Sequence, residues 1–118
     1  MWNGCTVQRT VEFLGKKWTL LVLLELYKGG GSRRFSELRD CLNGITPKVL
    51  SARLEELVDE ELVTNDVDRS TFPPRSVYSL TQSGAEVMDV IREMKAWALR
   101  WKLVNEPCAL HDCGECEL

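Results

Sequence analysis

Apolar residues recur at helical spacing in the first third of the chain and predict two consecutive helices. Val7, Val11 and Leu14 lie four and three positions apart, which predicts one amphipathic helix that the following glycine ends. Residues 18–27 are rich in Leu and Val on every side, which is typical of a fully buried helix. Three successive glycines, 29–31, then stop that helix and begin a turn.

The next segment combines short elements with a second capped helix. Residues 33–35 predict a brief extended piece, and Ser36 is the expected N-cap of a helix over 37–42. Thr46 followed by Pro47 predicts a helix start, because a hydroxyl can cap the first turn and proline fits the first helical position. The helix is expected to end at about Glu60 and to bury Leu50, Leu54, Leu57 and Val58.

Two β-rich segments and a long helix complete the pattern. Residues 62–68 and 77–80 predict a hairpin, and the connector 69–75 contains a proline pair that cannot continue a strand ladder. Thr81 is the expected cap of a last helix that runs to about Val104. A short helix, a turn, a second helix and a hairpin follow the order of a winged helix-turn-helix. The predicted fold class is therefore α+β, mainly α, with a long C-terminal dimerisation helix.

Length and charge narrow the class of protein. The chain has 118 residues, 44% of them hydrophobic and 28% charged, which fits one soluble globular domain. The longest apolar run is far shorter than the roughly 20 residues that span a bilayer, and the first residues lack a secretory signal. We therefore expect a cytoplasmic protein with no membrane partner. The net charge is −3, yet residues 28–54 carry six basic and two acidic side chains. Such a basic stretch suits an anion-binding surface, although a solvated mixed-charge face has the same composition.

The predicted fold assigns the basic stretch to a surface for double-stranded DNA. An α-helix fits the major groove, and residues near its N-terminus reach the base edges. With its leucines turned inward, the helix that begins at Pro47 carries lysine and small residues on the opposite face. Arginines before the short helix and beside the hairpin tip are expected to contact phosphate or enter a minor groove. The predicted DNA-binding residues are Arg33, Arg34, Thr46, Lys48, Ser51, Ala52, Arg53, Arg69 and Arg75. The alternative for the last two is an ion pair with Asp66 or Asp68.

The last helix carries a repeat that is typical of a dimer seam. Positions 87, 91, 94, 98 and 101 are spaced 4-3-4-3, as in a coiled coil. Apolar residues of the first helix could pack against the partner's last helix, and helix-turn-helix proteins usually bind a palindromic operator as two-fold dimers. The predicted homodimer interface is Trp2, Val7, Val11, Val87, Ile91, Met94, Trp97, Ala98 and Trp101. The alternative is a helix that only closes the core of one protomer.

Six segments, taken in order, carry a family likeness. They are Cys5-Thr-Val-Gln-Arg-Thr, Leu14-Gly-Lys-Lys-Trp, Arg33-Arg-Phe-Ser-Glu-Leu, Gly44-Ile-Thr-Pro-Lys-Val-Leu, Arg53-Leu-Glu-Glu-Leu and Pro73-Pro-Arg-Ser-Val-Tyr-Ser-Leu-Thr, with Gly84 after the last. Over residues 5–101 the chain resembles the HxlR-type winged-helix transcription regulators, relatives of the MarR group. The resemblance implies a DNA-binding homodimer without catalytic activity, and it makes Cys5 a candidate redox sensor. A helix N-terminus favours the thiolate form of a cysteine. A small buried residue at the dimer contact is the alternative for Cys5. The chain departs from the family at Glu61, commonly glycine, and at Thr64, often basic.

The segment after Val104 is acidic and rich in cysteine, so we predict a domain over 1–104 and a tail over 105–118. Cysteine and histidine at this density could hold zinc, or an iron–sulfur cluster with its fourth ligand missing. The candidate metal ligands are Cys108, His111, Cys113 and Cys116. A redox pair of Cys113 with Cys116, or a disordered tail without metal, are the alternatives.

Three classes of function compete at this point. The preferred one is a sequence-specific DNA-binding transcription regulator that acts as a homodimer and responds to thiol chemistry or metal. The second is a winged-helix protein-interaction module with a metal-bound tail, which would not need a basic face. The third is a thiol oxidoreductase, but no βαβ pattern accompanies the Cys-x-x-Cys motif. No catalytic constellation is evident in the sequence, so we expect a protein that is not an enzyme.

Overall fold

The computed structural model describes residues 3–116. Its elements are α1 (Thr6–Leu14), α2 (Thr19–Lys28), β1 (Ser32–Arg34), α3 (Phe35–Cys41), α4 (Pro47–Asp59), β2 (Val63–Asp68), β3 (Arg75–Leu80), α5 (Gln82–Trp101), α6 (Glu106–Leu110) and a 3-10 turn (Cys113–Glu115). Helices α3 and α4 followed by the β2–β3 hairpin form a winged helix-turn-helix, so the predicted fold class is confirmed. Trp2 lies outside the described residues.

The two strongest predicted caps are present. The Thr46 hydroxyl oxygen accepts a hydrogen bond from the Val49 amide at 3.2 Å, and Pro47 occupies the first turn of α4. The Thr81 hydroxyl oxygen accepts from the Gly84 amide at the start of α5, also at 3.2 Å. Each cap satisfies a backbone donor that has no partner within its helix. Local chemistry therefore fixes where both functional helices begin.

Helix α3 begins differently from the prediction. It starts at Phe35, so Ser36 lies inside the first turn and is not the N-cap. The reason is Glu37, whose side-chain Oε1 accepts the backbone N–H of Arg34 at 2.9 Å. A carboxylate three residues into a helix can supply this reciprocal contact, so the helix starts without a capping hydroxyl.

The three strands form one antiparallel sheet in the order β1–β3–β2. Strand β3 begins at Arg75, two residues earlier than predicted, because Arg75 lies opposite Asp68 in the hairpin register. The tip of the wing is thus the stretch 69–74 between the two strands. On its other side, β3 pairs with β1, with Arg34 opposite Val77.

One hydrophobic core joins the helices to the base of the sheet. Its fully buried side chains include Val22, Leu23, Leu26, Leu38, Leu50, Leu54, Leu57, Val63 and Met88. Helix α5 approaches the backbone before β2 very closely at Gly84. A Cβ added at Gly84 would lie 2.0 Å from the Leu62 carbonyl oxygen. Among residues 3–116, no helix is both long and apolar enough to cross a membrane.

The segment after α5 folds back onto α2 and α5. Arg92 joins the two sides, because its Nε donates to Asp112 Oδ1 at 3.3 Å and its Nη2 donates to the Tyr27 hydroxyl at 2.9 Å. Nearby, Lys95 Nζ donates to the His111 carbonyl oxygen. The last turn therefore packs against the same protomer that carries it.

Candidate nucleic-acid interface

The N-terminal half of α4 presents a polar face to solvent. Lys48 and Ser51 are exposed and Ala52 is half-buried, while the leucines on the opposite side are buried. Thr46 is exposed just before the helix, with its oxygen engaged in the cap. These four predicted residues lie together at the end of the helix that reaches base edges in helix-turn-helix proteins.

The exposed face of α4 changes charge along its length. Lys48 is the basic residue in the first turn, whereas Glu55 and Asp59, both exposed, follow further along the helix. Carboxylates repel phosphate, so the attractive part of this face is confined to the first two turns. The helix can therefore approach a duplex with its N-terminus but not along its whole length.

Arg53, predicted to turn towards a phosphate, is instead half-buried and bonded within its own protomer. Its Nε donates to the Lys17 carbonyl oxygen at 2.9 Å, and its Nη1 donates to Glu56 Oε1 at 3.1 Å. Lys16 also pairs with Glu56, at 3.1 Å. Arg53 therefore ties α4 to the loop before α2.

Arg33, predicted to contact DNA, is instead half-buried and bonded within its own protomer. Its Nε donates to the Glu25 carbonyl oxygen at 2.6 Å, and its Nη2 lies 3.8 Å from Glu25 Oε2. Successive residues of a strand point to opposite faces, so Arg33 turns towards α2 while Arg34 remains exposed. Of the two adjacent arginines, only the second is exposed.

The start of α3 and the wing share one basic corner. Arg34 and Arg75 line the same shallow depression together with Ser36, an exposed residue that sequence reasoning did not select for DNA contact. Hydrogen bonds from Ser70 lower the pKa of Asp68, and the charges of Arg34 and Arg75 lower it further. Asp68 therefore stays ionised near both arginines and balances part of the positive charge of this corner.

The tip of the wing carries the last predicted DNA residue. Arg69 is exposed. It lies between Asp68 and Ser70, and the amide and hydroxyl of Ser70 both donate to Asp68 Oδ1, at 2.9 and 2.5 Å. The tip thus presents one arginine, with Arg75 exposed where β3 begins. The polar half of α4, the basic corner and the wing tip together form the candidate interface.

Comparison with known proteins assigns the family. The profile of the HxlR-like helix-turn-helix family matches residues 13–106. The chain belongs to this family. It is 39% identical over 104 residues to the helix-turn-helix-type transcriptional regulator sll1512 of Synechocystis, with 88% of this chain and 74% of that protein aligned. The regulator YodB of Bacillus subtilis is 35% identical over 92 residues, covering 78% of this chain and 80% of YodB.

Solved structures of family members share the fold. The reduced form of YodB matches with a TM-score of 0.73 and 32% identity, over 88% of this chain and 97% of that one. The redox regulator HypR in its reduced form gives a TM-score of 0.68 and 30% identity, over 81% and 92% of the two chains. The chain is a transcription regulator of the HxlR type, and the predicted resemblance is confirmed.

In this HxlR-type chain, part of the predicted dimer seam lies inside the protomer. Val87 and Ile91 are 8% and 9% exposed and belong to the core, so neither is available to a partner. The 4-3-4-3 positions share one face of α5, but that face packs on the core in the first half of the helix and is open at Met94 and Trp101 in the second half. Ala98 is half-buried on the second half.

Three residues of the predicted dimer interface, together with Val90, form an apolar stripe of α5 that is open to solvent. Val90, Met94, Trp97 and Trp101 are each at least half exposed. At 100° per residue this stripe lies opposite the side of α5 that receives the tail, which is formed by Arg92, Lys95, Ala96 and Leu99. On α1, Val7 and Val11 are exposed as well, and no described residue of that helix is buried.

Cys5 occupies the N-cap of α1. Its Sγ accepts a hydrogen bond from the Gln8 amide at 3.4 Å, and the residue is exposed in the protomer. The alternative, a small residue buried at the dimer contact, concerns the dimer and stays a prediction. The thiol is open to small reagents from solvent and is tied to the first turn of a helix with an apolar face.

The tail does not assemble the four predicted metal ligands. Within residues 3–116, no three His, Cys, Asp or Glu side chains are grouped closely enough to hold a metal ion. His111 Nδ1 lies 2.9 Å from the Pro107 carbonyl oxygen, and Cys113 packs against the hydrophobic core. Cys108 and Cys116 are half-buried elsewhere in the same segment. The donor geometry therefore fits neither tetrahedral zinc nor a cluster.

Proposed function

We propose that this HxlR-type regulator is a cytoplasmic, sequence-specific DNA-binding protein that acts as a homodimer on a palindromic operator. The observation that carries the proposal is the exposed N-terminal half of α4 beside a basic wing. Lys48 and Ser51 extend into solvent from this half, whereas Arg53 is held against its own protomer by the Lys17 carbonyl oxygen. The protein-interaction alternative does not need a basic face, whereas Arg34, Lys48 and Arg75 are all exposed in this protein.

Different parts of the candidate interface contact the major groove, the phosphates and the minor groove. Lys48, Ser51 and Ala52 face the major groove, where lysine favours guanine and a small apolar side chain can contact the thymine methyl group. Arg34 and Arg75 lie where they contact phosphate, which fixes the orientation of the protein but carries no sequence information. Arg69 reaches towards the adjacent minor groove.

The homodimer joins two such surfaces through the open stripe of α5 and the apolar side of α1. A protomer that leaves Met94, Trp97 and Trp101 at least half exposed along one helix presents an apolar area that soluble monomers usually cover. A second copy covers it with the same residues, because a two-fold interface is self-complementary. The two α4 helices then face successive turns of the operator.

The DNA binding of this protein is proposed to respond to oxidation of Cys5. YodB has been solved in reduced, diamide-treated and quinone-bound forms, and HypR is described as a redox regulator. In this chain Cys5 caps α1, so modification of its Sγ disturbs the hydrogen bond from the Gln8 amide. Because Val7 and Val11 follow on the same helix, the change reaches the proposed dimer contact directly.

The DNA proposal is tested by binding to the fragment upstream of the protein's own gene, over a series of salt concentrations. We expect Lys48→Ala to change the preferred sequence or to weaken binding, because alanine cannot reach a base edge or a phosphate from this position. Lys102→Ala is the matched control, since Lys102 is an exposed lysine at the end of α5. No binding of the wild-type protein even at low salt would contradict the proposal.

The thiol proposal is tested in the same assay with diamide-treated protein. Treatment is expected to change the affinity of wild-type protein for the fragment and to leave Cys5→Ser unchanged. Cys41→Ser is the control, because Cys41 is exposed but lies on α3. An equal response of Cys5→Ser and wild type would place the sensor elsewhere.

A further inference from the structure

The tip of the wing presents a single phenylalanine to solvent. Phe72 is 98% exposed. The residues on either side hold the tip in shape: Ser70 donates two hydrogen bonds to Asp68, and the Thr71 hydroxyl donates to the Pro73 carbonyl oxygen at 3.3 Å. The two prolines that follow Phe72 restrict the backbone further. The ring is therefore held away from the core by a preorganised loop.

Basic side chains flank the exposed ring. Arg69 precedes Phe72 and Arg75 follows it, and both are exposed. An apolar wedge between cations is the chemistry with which proteins enter the minor groove, where arginine is attracted by the phosphates and the wedge unstacks a base step. Because almost the whole ring of Phe72 faces solvent, packing within the protomer does not account for an aromatic residue at this position.

We propose that Phe72 inserts part of its ring between two adjacent base pairs in the minor groove and kinks the operator. The proposal rests on the DNA-binding function proposed above and adds a specificity-determining residue to it. Insertion costs least at flexible pyrimidine–purine steps such as TA and CA. The operator is therefore expected to carry such a step beneath each wing, at a fixed distance from the bases that α4 contacts.

Double-stranded DNA suits the tip better than a protein partner does. Arginine beside an aromatic ring also occurs at protein interfaces, but the phosphates on either side of a minor groove match two arginines that flank one ring. The tip also follows β2 and precedes β3, and Arg75 at the start of β3 lies beside Arg34 in the basic corner. One duplex can contact both regions together.

The experiment uses a duplex selected by the wild-type protein from a random-sequence library. Fluorophores at the two ends report bending by energy transfer, and 2-aminopurine at the step under the wing reports unstacking. We expect Phe72→Ala to weaken binding about tenfold and to remove the bend and the fluorescence change, since alanine has no ring to stack on a base. Phe72→Leu keeps an apolar wedge and should retain most of the bend. Leu110→Ala, at a 72% exposed apolar residue of α6, should match wild type.

The outcomes separate this inference from the function on which it rests. Failure of the wild-type protein to select or bind any duplex at low salt overturns the proposed function. Normal binding by wild type with an unchanged bend in Phe72→Ala overturns the wedge alone, whatever the change in affinity. Because Phe72 is almost fully exposed, its variants should keep the wild-type urea midpoint, which confirms that they fold.

Discussion

Truncation of Trp97 should separate the proposed homodimer into protomers. Trp97 lies in the middle of the open stripe of α5 and is 50% exposed in the single protomer. A tryptophan buries roughly 150–250 Å² when fully covered, so about 100 Å² of this side chain remains for a partner to cover. At about 25 cal/mol per Å² that area is worth about 2.5 kcal/mol.

Symmetry doubles this contribution. A two-fold interface contains Trp97 twice, so Trp97→Ala should remove about 5 kcal/mol per dimer. Every 1.4 kcal/mol corresponds to a factor of ten, and the dissociation constant of the dimer should rise by about three and a half orders of magnitude. Sedimentation equilibrium over a concentration series measures this change against the 13.5 kDa mass of the protomer.

Two further variants distinguish loss of the interface from damage to the protomer itself. The covered half of Trp97 contacts its own protomer, so Met94→Lys, at a 51% exposed position of the same stripe, should also dissociate the dimer without leaving a cavity. Phe72→Ala removes an even more exposed ring from the wing and should leave the dimer intact. An unchanged dissociation constant in folded Trp97→Ala and Met94→Lys would refute this assignment of the interface.

Three other predictions test separate parts of the structure. Arg34→Ala should weaken binding to all DNA sequences and flatten the slope of log affinity against log salt concentration by about 0.9 for each phosphate that the arginine neutralises. Arg33→Ala should leave that slope unchanged and lower the midpoint of urea unfolding. Gly84→Ala should destabilise the protein by about 2 kcal/mol in urea unfolding, because the added Cβ overlaps the backbone of Leu62 just before β2. The pKa of Asp112 is lowered by the hydrogen bond from the Gly114 amide and by Arg92. Docking of the tail should therefore be complete above about pH 4 and should weaken as the pH falls through the lowered pKa of Asp112 in the folded protein. Hydrogen exchange of the tail amides measures this pH dependence, and Asp112→Asn should abolish it.

The fold could be predicted because its decisive signals are local. Thr46-Pro47 and Thr81 fix the starts of α4 and α5 through hydrogen bonds that span three residues. The proline pair is a local signal as well, because proline lacks the backbone N–H that a strand ladder needs. Where a non-local partner intervened, the boundaries moved: β3 begins two residues early because Asp68 lies opposite Arg75 across the hairpin.

The candidate interface was harder to predict, because side chains of one type had different partners. Arg53 contacts the Lys17 carbonyl oxygen, 36 positions away, which no spacing on α4 reveals. For Arg33 and Arg34, strand alternation alone indicates that they point to opposite faces, but it does not tell which face DNA approaches. On α5, Val87 and Met94 share a heptad pattern, yet only the second lies beyond the core.

Helix α5 connects the proposed dimer contact to the base of the wing. Thr81, at the start of α5, donates its backbone N–H to the Leu62 carbonyl oxygen at 3.0 Å and its hydroxyl to the Glu61 carbonyl oxygen at 2.7 Å, just before β2. The C-terminal half of α5 carries most of the open apolar stripe. Because α5 is a continuous helix of 20 residues, about 30 Å long, we treat it as a rigid element. In the proposed dimer, we therefore expect a change in the angle between the two α5 helices to move both wings. We expect the distance between labels attached at Asn65, an exposed residue of β2, in the two protomers to differ between reduced and diamide-treated dimers, and an equal distance would exclude this connection.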